Sequence, residues 1–162
     1  MTAPIVDKVL RDTMIETGVL DLPTFFNAVR HNEIKTVQHR MQGVDMQTMG
    51  GPNIWDEHGQ YPIHVAAAEG HTKMVRLIIE MQGDVNQMTH NEHRTALHYA
   101  VINKSHDAIR YLVDVGAKTD IKDVFHRTPR MYAVDEEMMR IVFEVRFDRN
   151  DMQALDICDK GA

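Results

Sequence analysis

The chain repeats itself every 34 or 33 residues. Tyr61-Pro62-Ile63-His64-Val65-Ala66-Ala67 returns 34 positions later as Thr95-Ala96-Leu97-His98-Tyr99-Ala100-Val101. After a further 33 it returns, weaker, as Thr128-Pro129-Arg130-Met131-Tyr132-Ala133-Val134. The ends of the units answer one another too, Gly83-Asp84-Val85-Asn86 matching Ala117-Lys118-Thr119-Asp120. A unit this short cannot bury its own apolar face. Neighbours must stack to make a core, and the stack presents a long surface.

The unit from Asp56 to about Met88 is the clearest. Asp56-Glu57-His58-Gly59-Gln60 reads as a hairpin tip in which Gly59 supplies positive φ. Pro62 falls in a first helical turn, where its missing N–H costs nothing. Gly70-His71 ends that helix. Met74, Val75, Ile78 and Ile79 then form the buried stripe of a second helix. The next unit carries the same stripe in Ala108, Ile109, Leu112 and Val113, closed by Gly116-Ala117. It puts His93 at the turn glycine, Ala96 at the proline and Lys104 at the glycine between helices. Its one extra residue before His98 predicts an enlarged tip.

A degenerate unit follows from Asp123, keeping Thr128-Pro129 and Ala133 but placing Met131 at the His position and Glu137 at the inter-helix Gly position. Asp135, Glu136 and Glu137 make the approach to its second helix acidic. Upstream, Phe26 to Val37 predicts a first unit, with Asn32 at the Gly place. Met46 to Asn53, containing Gly50-Gly51-Pro52, reads as a flexible insertion of about four residues. Met74, Met131, Met138 and Met139 are expected to fill the core, while Met41, Met46, Met49, Met81 and Met88 fall at helix ends or in loops.

The T-P-L-H-x-A pattern at this period resembles the ankyrin repeat, a β-turn followed by two antiparallel helices. The resemblance implies an all-α solenoid of about four helix-turn-helix units with hairpin tips, over residues 21–147. The units span about 21–53, 54–88, 89–121 and 122–147. Residues 1–20 (Ile5, Val6, Val9, Leu10, Met14, Ile15) are spaced as an amphipathic N-terminal helical extension, and 148–162 form a polar tail.

Composition narrows the function. A net charge of −6 argues against nucleic-acid binding, which needs a dense Lys/Arg surface. The single Cys158 has no internal disulfide partner, as in a reducing cytoplasmic or nuclear compartment. No apolar run approaches the roughly 20 residues of a membrane span. No Gly-x-Ser-x-Gly elbow, phosphate loop or dinucleotide fingerprint is present, so neither an enzyme nor a small-molecule or cofactor site is expected. In the resemblance, His64 and His98 hydrogen-bond the backbone of the neighbouring turn. A structural metal site built from His58, His90, His93 and His98 lacks a zinc-like spacing. Asp84-Val85-Asn86 resembles the context in which repeat asparagines are hydroxylated, which leaves a substrate role open.

The resemblance further implies that protein contacts come from the tips and the outward positions of each first helix. On the tips these are Glu57, His58 and Gln60; Asn91, Glu92 and Arg94; Val124, Phe125 and Arg127. On the helices they are Arg30 and His31, Ala68 and Glu69, Ile102 and Asn103, and Asp135 and Glu136. Val124-Phe125 and Trp55 are apolar where a solvent face is expected, the kind of residue that anchors an interface. The alternative for both is burial against the enlarged loop or the tail. With no other domain in these 162 residues, the chain is expected to act by occupying a partner, as an inhibitor, adaptor or regulatory subunit. Size analogy alone points to a protein kinase or cell-cycle complex.

Overall fold

Asp21 starts the first helix, its carboxylate accepting the Thr24 N–H at 3.1 Å. The structure, a computed structural model, describes residues 21–42 and 51–144. Among these residues seven α-helices follow in order: α1 Leu22–Arg30, α2 Ile34–Met41, α3 Pro62–Ala68, α4 Thr72–Glu80, α5 Ala96–Ile102, α6 His106–Asp114 and α7 Glu136–Glu144. Short 3-10 turns lie at Gly51–Asn53 and Pro129–Tyr132. No strand occurs among the described residues. The expected N-terminal extension, most of the insertion and the tail lie outside them.

Each first helix ends in the same way. Asn32, Gly70 and Lys104 take φ of 57°, 72° and 56°. The N–H groups of Glu33, His71 and Ser105 then reach back five residues to the carbonyls of Ala28, Ala66 and Ala100, each at 2.9 Å. The next helix starts one residue on. At Gly70 a Cβ would also sit 2.7 Å from Ser105 Oγ, which would have to rotate away. Asn32 and Lys104 hold the same conformation at a steric cost that glycine avoids.

Two rows result. α1, α3, α5 and the Pro129–Tyr132 turn pack side by side, and α2, α4, α6 and α7 pack behind them. Ala66, Ala67 and Ala100 are fully buried and let the helices approach closely. Ile63, Leu97, Val75, Ile78, Ile109, Leu112, Met138 and Val142 fill the seams. Each fully buried aliphatic chain contributes about 1.5–3 kcal/mol from apolar burial.

The fourth unit departs from its predicted register. Tyr61 and Thr72 lie 11 positions apart, as do Thr95 and His106, but Thr128 and Glu136 only 8. Three missing residues are nearly one α-helical turn, so the first helix shrinks to a 3-10 turn. Glu137 therefore lies within α7, and not at the inter-helix glycine position. Asp135 and Glu136 are likewise not outward positions of a first helix. Asp135 Oδ1 accepts the Met138 N–H at 2.8 Å, and Glu136 opens α7. Met131 and Met139 are 67% and 41% exposed and do not fill the core, whereas Met41, like Met74 and Met138, is buried.

The insertion is tethered where it is described. Asn53 donates from Nδ2 to the Gln82 carbonyl at 3.4 Å and accepts the Asp84 N–H at 3.1 Å. Asn86 repeats half of this clamp one unit on, accepting the Lys118 N–H at 2.8 Å.

Candidate partner-binding surface

Three tips project from the edge of the stack, each closed by its own first residue. The N–H groups of Asp56, Thr89 and Asp123 donate to the carbonyls of Gln60, Arg94 and Arg127, all at 2.9 Å. The middle tip is one residue longer, so the extra residue predicted from the sequence is absorbed within the turn. Asp56 Oδ1 accepts the N–H groups of His58 and Gln60, both at 2.9 Å. Asp123 Oδ1 accepts those of Phe125 and Arg127, at 2.9 and 3.0 Å. Gly59, His93 and His126 provide the positive φ in their tips.

Adjacent tips are bonded to one another. His90 N–H donates to the Gly59 carbonyl and Val124 N–H to that of Glu92, both at 3.1 Å. The Asn91 amide reaches the His58 carbonyl at 2.9 Å. A Cβ on Gly59 would lie 2.7 Å from that of His90, so the close approach of these two tips requires glycine.

The repeated histidines hold each tip to the helix behind it. His64 Nδ1 accepts the Tyr61 N–H at 3.1 Å while Nε2 donates to the Gln87 carbonyl at 2.8 Å. His98 does the same from the Thr95 N–H to the Arg127 carbonyl, both at 3.1 Å, with a further bond to Thr95 Oγ1 at 2.9 Å. Both rings are fully buried. Burial, against the pull of the Gln87 carbonyl, lowers the His64 pKa to about 4. Burial lowers that of His98 as well. These are structural imidazoles, kept neutral.

Several residues expected to face a partner instead build the scaffold. Trp55 is half-buried, its ring 5.0 Å from His90 and 6.0 Å from Tyr61. His90 shares a 2.9 Å bond with the Tyr61 hydroxyl. Gln60 donates to Tyr99 Oη at 3.3 Å, and that hydroxyl donates to Glu92 at 2.8 Å. Arg94 bonds Glu92 at 3.0 Å, Asp123 Oδ2 at 3.4 Å and Tyr132 Oη at 3.3 Å, leaving its side chain only 17% exposed. Tyr132 donates to Asp123 Oδ2 at 2.6 Å. Burial would raise the Asp123 pKa, but the bonds from Tyr132, the Arg127 and Phe125 N–H groups and Arg94 outweigh it and bring it down to about 2. The Asp123–Arg94–Tyr132 network was not foreseen from the sequence. The turn position that Asp123 shares with Asp56 marks the bonds to Oδ1, but not the side chains that Oδ2 receives from neighbouring elements.

Glu57, His58, Glu69, Asn91, Ile102, Asn103, Val124, Phe125, Arg127 and Glu136 remain exposed. Val124 and Phe125 are 42% and 60% accessible. The Phe125 ring stands 6.0 Å from the Arg94 guanidinium and that of Tyr132 5.7 Å from Arg127. Met131 and Val134, missed from the sequence, add two exposed apolar side chains in the same shortened unit. Beside the middle tip lies an open depression of about 540 Å³, lined by Asp84, Asn86, Met88, His90 and His93 among others. Among the described residues no set of three or more His, Cys, Asp or Glu is placed to hold a metal. None of their helices is long and apolar enough to cross a membrane.

The family model for ankyrin repeats, in three copies, matches residues 25–123. A yeast protein named "Probable 26S proteasome regulatory subunit p28" (Saccharomyces cerevisiae) is 29% identical over 89 residues, covering 54% of this chain and 39% of its own. The nuclear factor NF-kappa-B p105 subunit of Rattus norvegicus is 32% identical over 75 residues, 43% of this chain and 8% of its own. The chain thus spans well under half the length of either relative. Among solved structures, the ankyrin repeat domain of Bcl-3, a member of the IkappaB protein family, superimposes with a TM-score of 0.63 at 24% identity. That match covers 73% of this chain and 50% of the other.

Proposed function

Because the chain belongs to the ankyrin-repeat family, we propose that it is a non-catalytic protein-interaction module that occupies a partner as an inhibitor, adaptor or regulatory subunit. The observation that carries this reading is the row of bonded tips ending in an exposed Val124-Phe125 pair. Rigid tips lose little freedom on binding, and an exposed aromatic on such a support supplies contact area at low entropic cost. Glu57, His58, Glu69, Asn91, Asn103 and Arg127 add exposed polar side chains along the tips and first helices, the composition found at the rim of an interface. The regulatory role draws support from the yeast relative's name. A cytoplasmic or nuclear location accords with the lone cysteine. Asn86 has a structural task in clamping Lys118, and that weighs against a substrate role.

The test is capture of partners from native extract by the wild-type chain and by a Val124→Asp, Phe125→Asp variant, after circular dichroism has shown equal helicity. Both side chains are exposed, so the variant is expected to fold and to lose its partner at least about tenfold, as when an interface anchor is removed. Equal capture by both chains would move the interface off the tips.

A further inference from the structure

We propose that the last tip docks a short acidic peptide segment of a partner protein, with an apolar side chain of that segment set against Phe125. The inference rests on the interaction reading above and adds the chemistry of what is bound.

The charge at this tip runs against that of the whole molecule. The chain carries a net −6 with histidines counted as neutral, yet positions 122–127 hold Lys122 and Arg127, with Phe125 and His126 between them, against one carboxylate, Asp123. That carboxylate is buried at 4% exposure, and both its oxygens are engaged, Oδ1 by the turn and Oδ2 by Tyr132 and Arg94. It offers nothing to solvent or to a ligand. Lys122, His126 and Arg127 are all exposed, and among the described residues neither Lys122 nor Arg127 has an ion-pair partner. The surface of the tip is thus cationic around an exposed aromatic ring.

The other two tips are not built this way. The first presents Glu57 beside His58, paired at 3.5 Å, and the middle one presents Asn91 with Glu92, which already holds Arg94. Arg94 itself is neutralised by Glu92 and Asp123 and serves as the floor under Phe125. Cations at the rim and an apolar anchor at the centre complement a segment with Asp or Glu flanking one aromatic or branched aliphatic residue. Such a rim steers approach and selects sign, while the anchor supplies affinity.

A random dodecapeptide display library selected on the full-length chain tests this, with fluorescein-labelled versions of the selected peptides titrated afterwards. The expected selection is net-negative peptides with an apolar residue, whose affinity falls as salt rises. Their affinity should drop about tenfold or more on Arg127→Glu and on Phe125→Ala. Neutral or basic peptides, no enrichment, or binding indifferent to both substitutions would overturn the proposal. If extract partners are lost on the Val124→Asp, Phe125→Asp chain while the selected peptides are neutral, the interaction reading stands and only the acidic class falls.

Discussion

Replacing His98 with alanine is expected to lower the unfolding free energy by about 3–4 kcal/mol, the sum of a cavity and of orphaned partners. The ring is fully buried and joins Thr95, at the start of α5, to the Arg127 carbonyl at the base of the last tip. Alanine strands the Thr95 N–H and the Arg127 carbonyl away from water. In a stack, stability is a sum of unit and seam terms, and this loss falls on the seam between the third and fourth units. The last tip should therefore loosen along with the global loss. Urea unfolding followed by circular dichroism reads the first effect, and amide exchange at Phe125 and Arg127 the second. A loss below about 1 kcal/mol, within the range of ordinary surface changes, would deny His98 this role.

Acidification is expected to weaken the fold between pH 6.5 and pH 4. The folded His64 pKa of about 4 lies below the 6.5 of the free side chain, so in that window the unfolded chain binds the extra proton. Its stabilising contribution is complete above pH 6.5 and is lost as the pH falls toward 4. The 2.5-unit difference corresponds to about 3 kcal/mol, and His98 acts in the same direction. Asp123, lowered from 3.8 to about 2, extends the loss below pH 3.8. Urea midpoints at pH 7.5, 6, 5 and 4.5 should fall steadily, and a His64→Asn chain, weaker throughout, should show a shallower slope. A midpoint constant from pH 7.5 to 4.5 would contradict the burial of neutral imidazole.

The architecture was legible because its determinants are local and recur. A proline in the first turn, alanines at close approaches, a left-handed residue between helices and an i, i+4 apolar stripe each leave a mark at a fixed phase. Even the substitutes at Asn32, His93 and Lys104 adopt the conformation their positions require. The fourth unit was misread because matching by a constant period carries Thr128 onto Thr95 but cannot see three residues lost beyond it. The shortening shows only when the α7 stripe of Met138, Ile141 and Val142 is aligned with Ala108, Tyr111 and Leu112.

On the candidate surface, exposure was legible only in part, for a different reason. A position on a tip says where a backbone runs, but a long side chain can turn inward. Arg94, Glu92 and Gln60 do so because Asp123, Tyr132 and Tyr99, from neighbouring turns and helices, offer bonds within 3.4 Å. Those pairings depend on stacking and have no local sign. Val124 and Phe125 have no such partner to turn toward, and their exposure follows from their place at the tip.

The most direct measurement is site-specific photocross-linking in native extract, with p-benzoylphenylalanine in place of Phe125 on the last tip or of Lys73 on the exposed side of α4. A discrete protein adduct from position 125 and none from position 73 is the expected result. Adducts from position 73 alone would place the partner on the back row of helices and contradict the central claim that the tips are where this chain meets another protein.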